Sequence, residues 1–345
     1  MRHLHFGKLF FVVFSLLLAY TVSARKPIKT LLITGQNNHN WQVSHVVLKQ
    51  ILENSGRFDV DFVISPEQGK DMSGFVLDFS PYQLVVLDYN GDSWPEETNR
   101  RIVDVTSDVN LCYSEHARRY LNAAGVPKER TFVVGSPMAE VLHQNLPQIE
   151  ASDIHARLGL EKGKYILLSA HREENIDTEE NFCSLFTAVN AMAAQYDMPV
   201  LYSCHPRSRK RLEESGFQLD RRVIAHKPLG FHDYNCLQMN AFCVVSDSGT
   251  LPEESSFYLS VGKPFPAVCI RTSTERPEAL DKGCFVLSGI HTEQLLQSID
   301  LAVQMQQNGE FGTPVPDYTA ENVSVKVARI IQSYTGIVDR FVWRK

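Results

Sequence analysis

Apolar positions along the chain come in two textures. Short continuous apolar runs alternate with stretches in which apolar residues recur at helical spacing. The first run, KTLLIT at 29–34, is closed by Gly35 and predicts a buried strand. Val43, Val46, Val47, Leu48, Ile51 and Leu52 follow at helical spacing and predict a helix over 42–55 with one apolar face. Residues 58–64 and 84–87 predict two more strands, the last closing at Asp88-Tyr89-Asn90-Gly91-Asp92. This order is the start of a parallel α/β sheet. Further on, Ser114 is a good N-cap for a helix over 117–124, and 132–135 predicts a short buried strand. Residues 147–163 are polar, contain a helix, and read as a connector between lobes.

Beyond the connector the alternation is regular. Strands are predicted at 164–169, 200–203, 223–225, 242–246 and 266–270, and helices at 177–196, 208–215, 234–239 and 252–259. Such a βα series predicts a doubly wound sheet, with ligand groups at the carboxyl ends of its strands.

Composition narrows the field. The chain has 345 residues, 43% hydrophobic and 21% charged, an ordinary globular balance that suggests two or three domains. A net charge of −6 argues against a broad basic face for nucleic acid, while leaving room for a local anion pocket. Arg2, His3 and Lys8 precede an apolar run over 9–22 and a small-residue exit at Val22-Ser23-Ala24, which predicts an export signal over 1–24. The seven cysteines say otherwise. They are odd in number, irregularly spaced and set among apolar residues, as expected of a reduced cytoplasmic protein. No CxxC pair exists, so a zinc knuckle is not expected.

The candidate chemistry sits where the predicted strands end. Ala170-His171-Arg172-Glu173-Glu174-Asn175 follows the first strand of the series, and Ser203-Cys204-His205-Pro206-Arg207 the second. Each brings an imidazole and a guanidinium to one edge of the sheet. After the strand at 242–246, Ser246-Asp247-Ser248-Gly249-Thr250 runs into a helix near Pro252, which suits the first helical turn. Gly249 permits close backbone approach, and the helix terminus favours a phosphate. Glu253 or Glu254 is a candidate acceptor for a ribose diol. Arg276, in Arg271-Thr272-Ser273-Thr274-Glu275-Arg276-Pro277-Glu278, is a candidate diphosphate clamp with a permanent charge.

The strings HREEN, HPR, SDSGT with EES, and TERPE, in this order, resemble the non-hydrolysing UDP-N-acetylglucosamine 2-epimerase family. The resemblance covers about residues 95–335, beginning with PEETNR at 95–100. It implies two Rossmann-like lobes of GT-B type. It implies an isomerase that inverts C2 of a UDP-linked 2-acetamido sugar without NAD or metal, by eliminating and re-adding UDP, and that pairs as a homodimer. Motif matching places Glu96, Arg100 and His171 in the catalytic set. It places His205, Arg207, Tyr234, Ser248, Gly249, Thr250, Glu254 and Arg276 around the nucleotide sugar, with Tyr234 against uracil, Glu254 on ribose and Arg276 on the diphosphate. Thr250 replaces the family's more usual second glycine. SDSGT with EESS looks more like the subgroup acting on UDP-linked 2-acetamido-2,6-dideoxy-L-talose.

The front of the chain resembles something else. KTLLITG, the loop Gly35-Gln36-Asn37-Asn38-His39-Asn40-Trp41 and the run LDYNGDSWPEETNRR are similar to the trehalose-utilisation (ThuA-like) family over about 27–101. His39 and Trp41 are candidates for a carbohydrate site, against a packed strand-end loop. The epimerase family's GDT-type loop, HVEAG-type segment and early basic loop are missing from the sequence. The expected organisation is therefore an export signal over 1–24, a ThuA-like fragment over 27–101, a remnant of the epimerase first lobe over 102–150, and a UDP-binding lobe over 151–335. The first lobe is incomplete or chimeric. An isomerase with impaired turnover, a UDP-sugar-binding module without turnover, a secreted ThuA-like carbohydrate protein and a GT-B glycosyltransferase are the competing readings.

Overall fold

The computed structural model describes residues 26–36, 40–67, 70–71, 74–89, 96–176, 178–271 and 273–344, without the side chains of residues 96–99, 173, 174 and 207. The expected export signal, His39 and Asp92 lie outside the described residues. The described residues divide into two compact units, those up to 106 with 332–344, and those within 107–331.

In the first unit, β1 (Ile28–Thr34), α1 (Trp41–Asn54), β2 (Phe58–Ile64) and β3 (Leu84–Leu87) follow the expected order, and α2 (Glu96–Thr106) comes after them where no helix is predicted. The strands form a parallel sheet ordered β2-β1-β3. The apolar face expected of α1 is not the one that docks. Val43, Val46, Val47 and Ile51 stand 45–61% exposed, while His45 is buried with its ring 5.0 Å from Phe62. A sheet of three strands is only about 10 Å across between its outer strands. It accepts one ridge of the helix, and the neighbouring valine row stays uncovered among the described residues.

The second unit opens with β4 (Asn110–Cys112), α3 (Glu115–Ala123) and β5 (Thr131–Val133), the two strands paired in parallel. Ser114 caps α3 as expected, accepting the Ala117 amide at 3.1 Å. Then α4 (Pro137–Glu150) and α5 (Ile154–Leu158) lead into the main sheet. Pro147, expected to open the connector, lies inside α4, whose Ala139, Leu142 and Ile149 are fully buried. The expected lobe boundary near 150 also differs from the structure, where the units part at 106–107. Residues 107–150 are core to the second unit because α4 packs on the helices of the main sheet.

That sheet contains β6 (Ile166–Ser169), β7 (Val200–Ser203), β8 (Val223–His226), β9 (Cys243–Ser246), β10 (Ala267–Ile270) and β11 (Val286–Ser288). Between and after them run α6 (Glu173–Ile176), α7 (Glu179–Tyr196), α8 (Pro206–Ser215), α9 (Phe231–Met239), α10 (Leu251–Ser260), α11 (Pro277–Asp281), α12 (Thr292–Gln307) and α13 (Val323–Phe341). All pairings are parallel, in the order β11-β10-β9-β6-β7-β8. Counted from β6 this is 3-2-1-4-5-6, the doubly wound order, with its reversal between β6 and β9. The central strands are apolar up to their last residue, because both faces are covered. Leu167, Leu201, Val244 and Cys269 join one core layer, and their neighbours Leu168, Tyr202, Val245 and Ile270 join the other.

Candidate functional site

At the reversal point β6 and β9 lie side by side, with Ser169 in register with Ser246. A crevice at the carboxyl ends of such a strand pair is where doubly wound sheets bind ligands. The loops that leave these strands carry HREEN and SDSGT, so two motifs far apart in sequence share one edge.

Asp247 is the hub. It is fully buried, and its Oδ2 accepts the backbone amides of His171 at 2.9 Å and Arg172 at 2.8 Å, and Asn175 Nδ2 at 3.2 Å. Asn175 also donates to the Ile270 carbonyl at 3.0 Å, which ties in the end of β10. Arg172 Nε donates to the Asp247 carbonyl at 3.2 Å, and its Nη1 lies 3.9 Å from Glu275. Sequence reasoning missed Asp247 and Asn175. The available signal was a carboxylate directly after a fully buried strand, a position that must find donors.

The helix α10 is buried on every side, from Leu251 to Tyr258. Its first turn carries Glu253 and Glu254, each held by specific partners. Glu254 accepts from Thr250 Oγ1 and Gln238 Nε2, both at 2.7 Å. Ser248 Oγ lies 2.9 Å from Thr250 Oγ1, and Ser246 Oγ accepts the Ser248 amide at 3.0 Å. Gly249 does not have a left-handed φ, and a Cβ there would meet Arg172 Nη2 at 3.4 Å, an ordinary contact. Conformation alone therefore does not require glycine at this position. Tyr234, half-buried on α9, has its phenol pKa raised by burial and by the Glu254 charge, against the nearby Ser169 and Ser246 hydroxyls, which lower it.

Arg276 is engaged by protein groups. Its Nε donates to Glu253 Oε1 at 2.9 Å, its Nη1 donates to the Glu275 carbonyl at 3.2 Å, and its guanidinium lies 5.5 Å from the Tyr113 ring centre. Burial opposes its charge, and Glu253, with Tyr318 and Glu278, more than offsets this. Glu253 is 3% exposed and also accepts from the Ser136 hydroxyl, at the N-cap of α4. Ser136 was not among the expected residues, although Gly135-Ser136-Pro137 is a helix-start signature.

His205, after β7, has its ring 6.2 Å from that of His171. Arg207 lies in the first turn of α8, with its side chain outside the described residues. Glu96 and Arg100 lie on α2 in the first unit, Glu96 without a described side chain and Arg100 exposed. The strand-end edge thus brings together His171, His205, Tyr234, Ser248, Gly249, Thr250, Glu254 and Arg276 within the second unit. Asp88 serves its own unit, accepting from Ser44 Oγ at 2.6 Å and Thr34 Oγ1 at 3.2 Å.

Burial raises the Glu254 carboxyl pKa, with the Gln238 and Thr250 bonds pulling against it. A carboxyl whose pKa rises on folding keeps its full contribution to stability at acid pH, and loses it as pH climbs through the raised value. Glu254→Gln removes that titration, and Gln238 can turn its amide over to suit the new side chain. The stability of the variant relative to the parent is expected to grow as pH rises from below the ordinary carboxylate range to neutral. Urea unfolding across pH tests this, and a difference independent of pH would show that burial of this carboxylate is not costly.

All seven cysteines are free, with only Cys183 exposed. No helix among the described residues is long and apolar enough to cross a membrane.

Comparison with known proteins agrees with this geometry. The UDP-N-acetylglucosamine 2-epimerase family matches residues 88–332 of the chain. The UDP-N-acetylglucosamine 2-epimerase of Methanocaldococcus jannaschii is 29% identical over 221 residues, which are 62% of this chain and 59% of that protein. The chain thus spans 59% of the length of that curated relative. The solved UDP-N-acetylglucosamine 2-epimerase of Rickettsia bellii is 31% identical with a TM-score of 0.73, covering 92% of this chain and 100% of that one. A solved protein described as thua-like, from Parabacteroides merdae, is 90% identical over 24% of this chain and 30% of its own, with a TM-score of 0.21. With more than half of its length matched, the chain belongs to the UDP-N-acetylglucosamine 2-epimerase family.

Proposed function

We propose that the chain binds a UDP-linked 2-acetamido sugar at the strand-end loops of residues 107–331, and that it is an isomerase of the kind that inverts C2 by elimination and re-addition of UDP, with its turnover impaired. The observation that carries this reading is the meeting of HREEN and SDSGT at the β6–β9 reversal point, with TERPE joined to α10 through Glu253 and Arg276. A diphosphate leaving group calls for cations and helix N-termini. Arg276 and the first turn of α10 supply those groups, with the His171 and His205 rings beside them. Glu254 suits a ribose diol and Tyr234 a uracil ring. The family resemblance further pairs the chain with a second copy of itself.

A second reading, nucleotide-sugar binding without turnover, is favoured by one feature. The family's first-lobe strings are absent, and residues 27–101 carry ThuA-like motifs in their place. We read that segment as a ThuA-like fragment joined to the epimerase portion near residues 95–101.

Calorimetry with UDP tests the binding that both readings share. Heat of binding is expected, with affinity falling about 10–100-fold in Arg276→Ala, the size of one charged contact to phosphate. A chain that gives no UDP binding would overturn the reading. Binding untouched by Arg276→Ala would remove the guanidinium from the nucleotide site.

A further inference from the structure

We propose that Asp247 is the positioning residue for His171, fixing its neutral imidazole as the Nδ1–H tautomer so that Nε2 is the unprotonated, proton-accepting nitrogen. This rests on the nucleotide-sugar site proposed above for its functional meaning, and on the geometry alone for its structure.

The two oxygens of Asp247 have different surroundings. Oδ2 takes three donors, the amides of His171 and Arg172 and the side chain of Asn175. Oδ1 is buried and has no hydrogen bond among the described residues. The group that faces it is His171 Nδ1, at 3.3 Å. A buried carboxylate oxygen with unmet acceptor capacity favours any donor brought to it. Since Oδ2 holds the backbone of residue 171 itself, the ring is anchored at its root and meets Oδ1 with little freedom. A carboxylate can only accept, so the neutral ring lowers its energy by carrying its proton on Nδ1.

Other groups near the ring do not compete for Nδ1 in the same way. Arg172 is turned to the Asp247 carbonyl and to Glu275, and can offer only donors. The His205 ring lies 6.2 Å away, centre to centre. His171 itself is 44% exposed while Asp247 is fully buried, so the carboxylate is the fixed partner and the imidazole the group turned toward solvent. Chemically, a neutral His171 held this way accepts a proton or a substrate hydroxyl at Nε2. Once protonated, it donates from both nitrogens.

The test is imidazole 15N chemical shifts of the free, full-length protein, read from the neutral form of the ring. His171 is assigned by its loss in His171→Gln. In the parent, Nδ1 is expected to give the protonated, pyrrole-type shift and Nε2 the pyridine-type shift. In Asp247→Asn, the new carbonyl oxygen can keep the two backbone amides while the new amide nitrogen donates toward Nδ1. The two shifts are then expected to exchange places. A parent protein showing the Nε2–H form would overturn the proposal without any variant, even if Asp247→Asn fails to fold. A folded Asp247→Asn protein that retains the Nδ1–H form would overturn it as well. UDP calorimetry on the same parent sample separates this outcome from the nucleotide-sugar reading, since the tautomer is read without ligand.

Discussion

Incubated with UDP-N-acetylglucosamine in heavy water, the purified chain is expected to exchange and invert C2 at or near background. Elimination across C1 and C2 needs a base and an acid placed on the sugar. The family resemblance implies that an Asp and a Glu for this come from first-lobe strings, and the sequence lacks those strings. General acid–base groups contribute about 10²–10⁴-fold each, so the loss of two removes about 10⁴–10⁸-fold. Of the carboxylates at the end of β3, Asp88 is occupied by the Ser44 and Thr34 hydroxyls, which tie α1 and β1 to the strand end. Proton NMR of the C2 position measures the rate. Turnover at ordinary enzyme rates that disappears in Asp88→Asn would show that the front unit had rebuilt the acid–base pair, and would contradict this expectation.

Glu253→Ala is expected to destabilise the second unit by about 3–5 kcal/mol, the usual result of breaking one side of a buried ion pair. Glu253 is 3% exposed and holds Arg276 Nε at 2.9 Å while receiving the Ser136 hydroxyl. Its removal strands a guanidinium whose side chain is only 25% exposed and unties α4 from α10. The double variant Glu253→Met, Arg276→Met should recover much of the loss, because no charge is then left unpaired. Urea unfolding reads both. A Glu253→Ala midpoint equal to the parent's would mean that the contact contributes nothing to the fold, and a double variant no better than the single would mean that the loss is one of packing.

Much of this protein is legible in its sequence. Strands β6, β7, β8, β9 and β10 fall where they are predicted because each is a short, mainly apolar run, a pattern that burial within a sheet demands wherever the run occurs, whereas β4 and β11 are not predicted. The motifs are equally local. HREEN, SDSGT and TERPE sit directly behind apolar runs, and that placement alone puts them at carboxyl strand ends. The helices α4, α12 and α13 escaped prediction, and Pro147 reads locally as a break although its helix continues through it. The valine row of α1 carries a helical period but no information about the width of the sheet beneath it. Tertiary structure alone decided which strand ends meet. The order 3-2-1-4-5-6 sets β6 beside β9 and brings the Asp247 carboxylate to the His171 amide across 76 residues. It also set Glu253 against Arg276 and Ser136, across 23 and 117 residues. Such partners are chosen by crossovers and by the need of buried charge for hydrogen bonds, and no local run of residues encodes either.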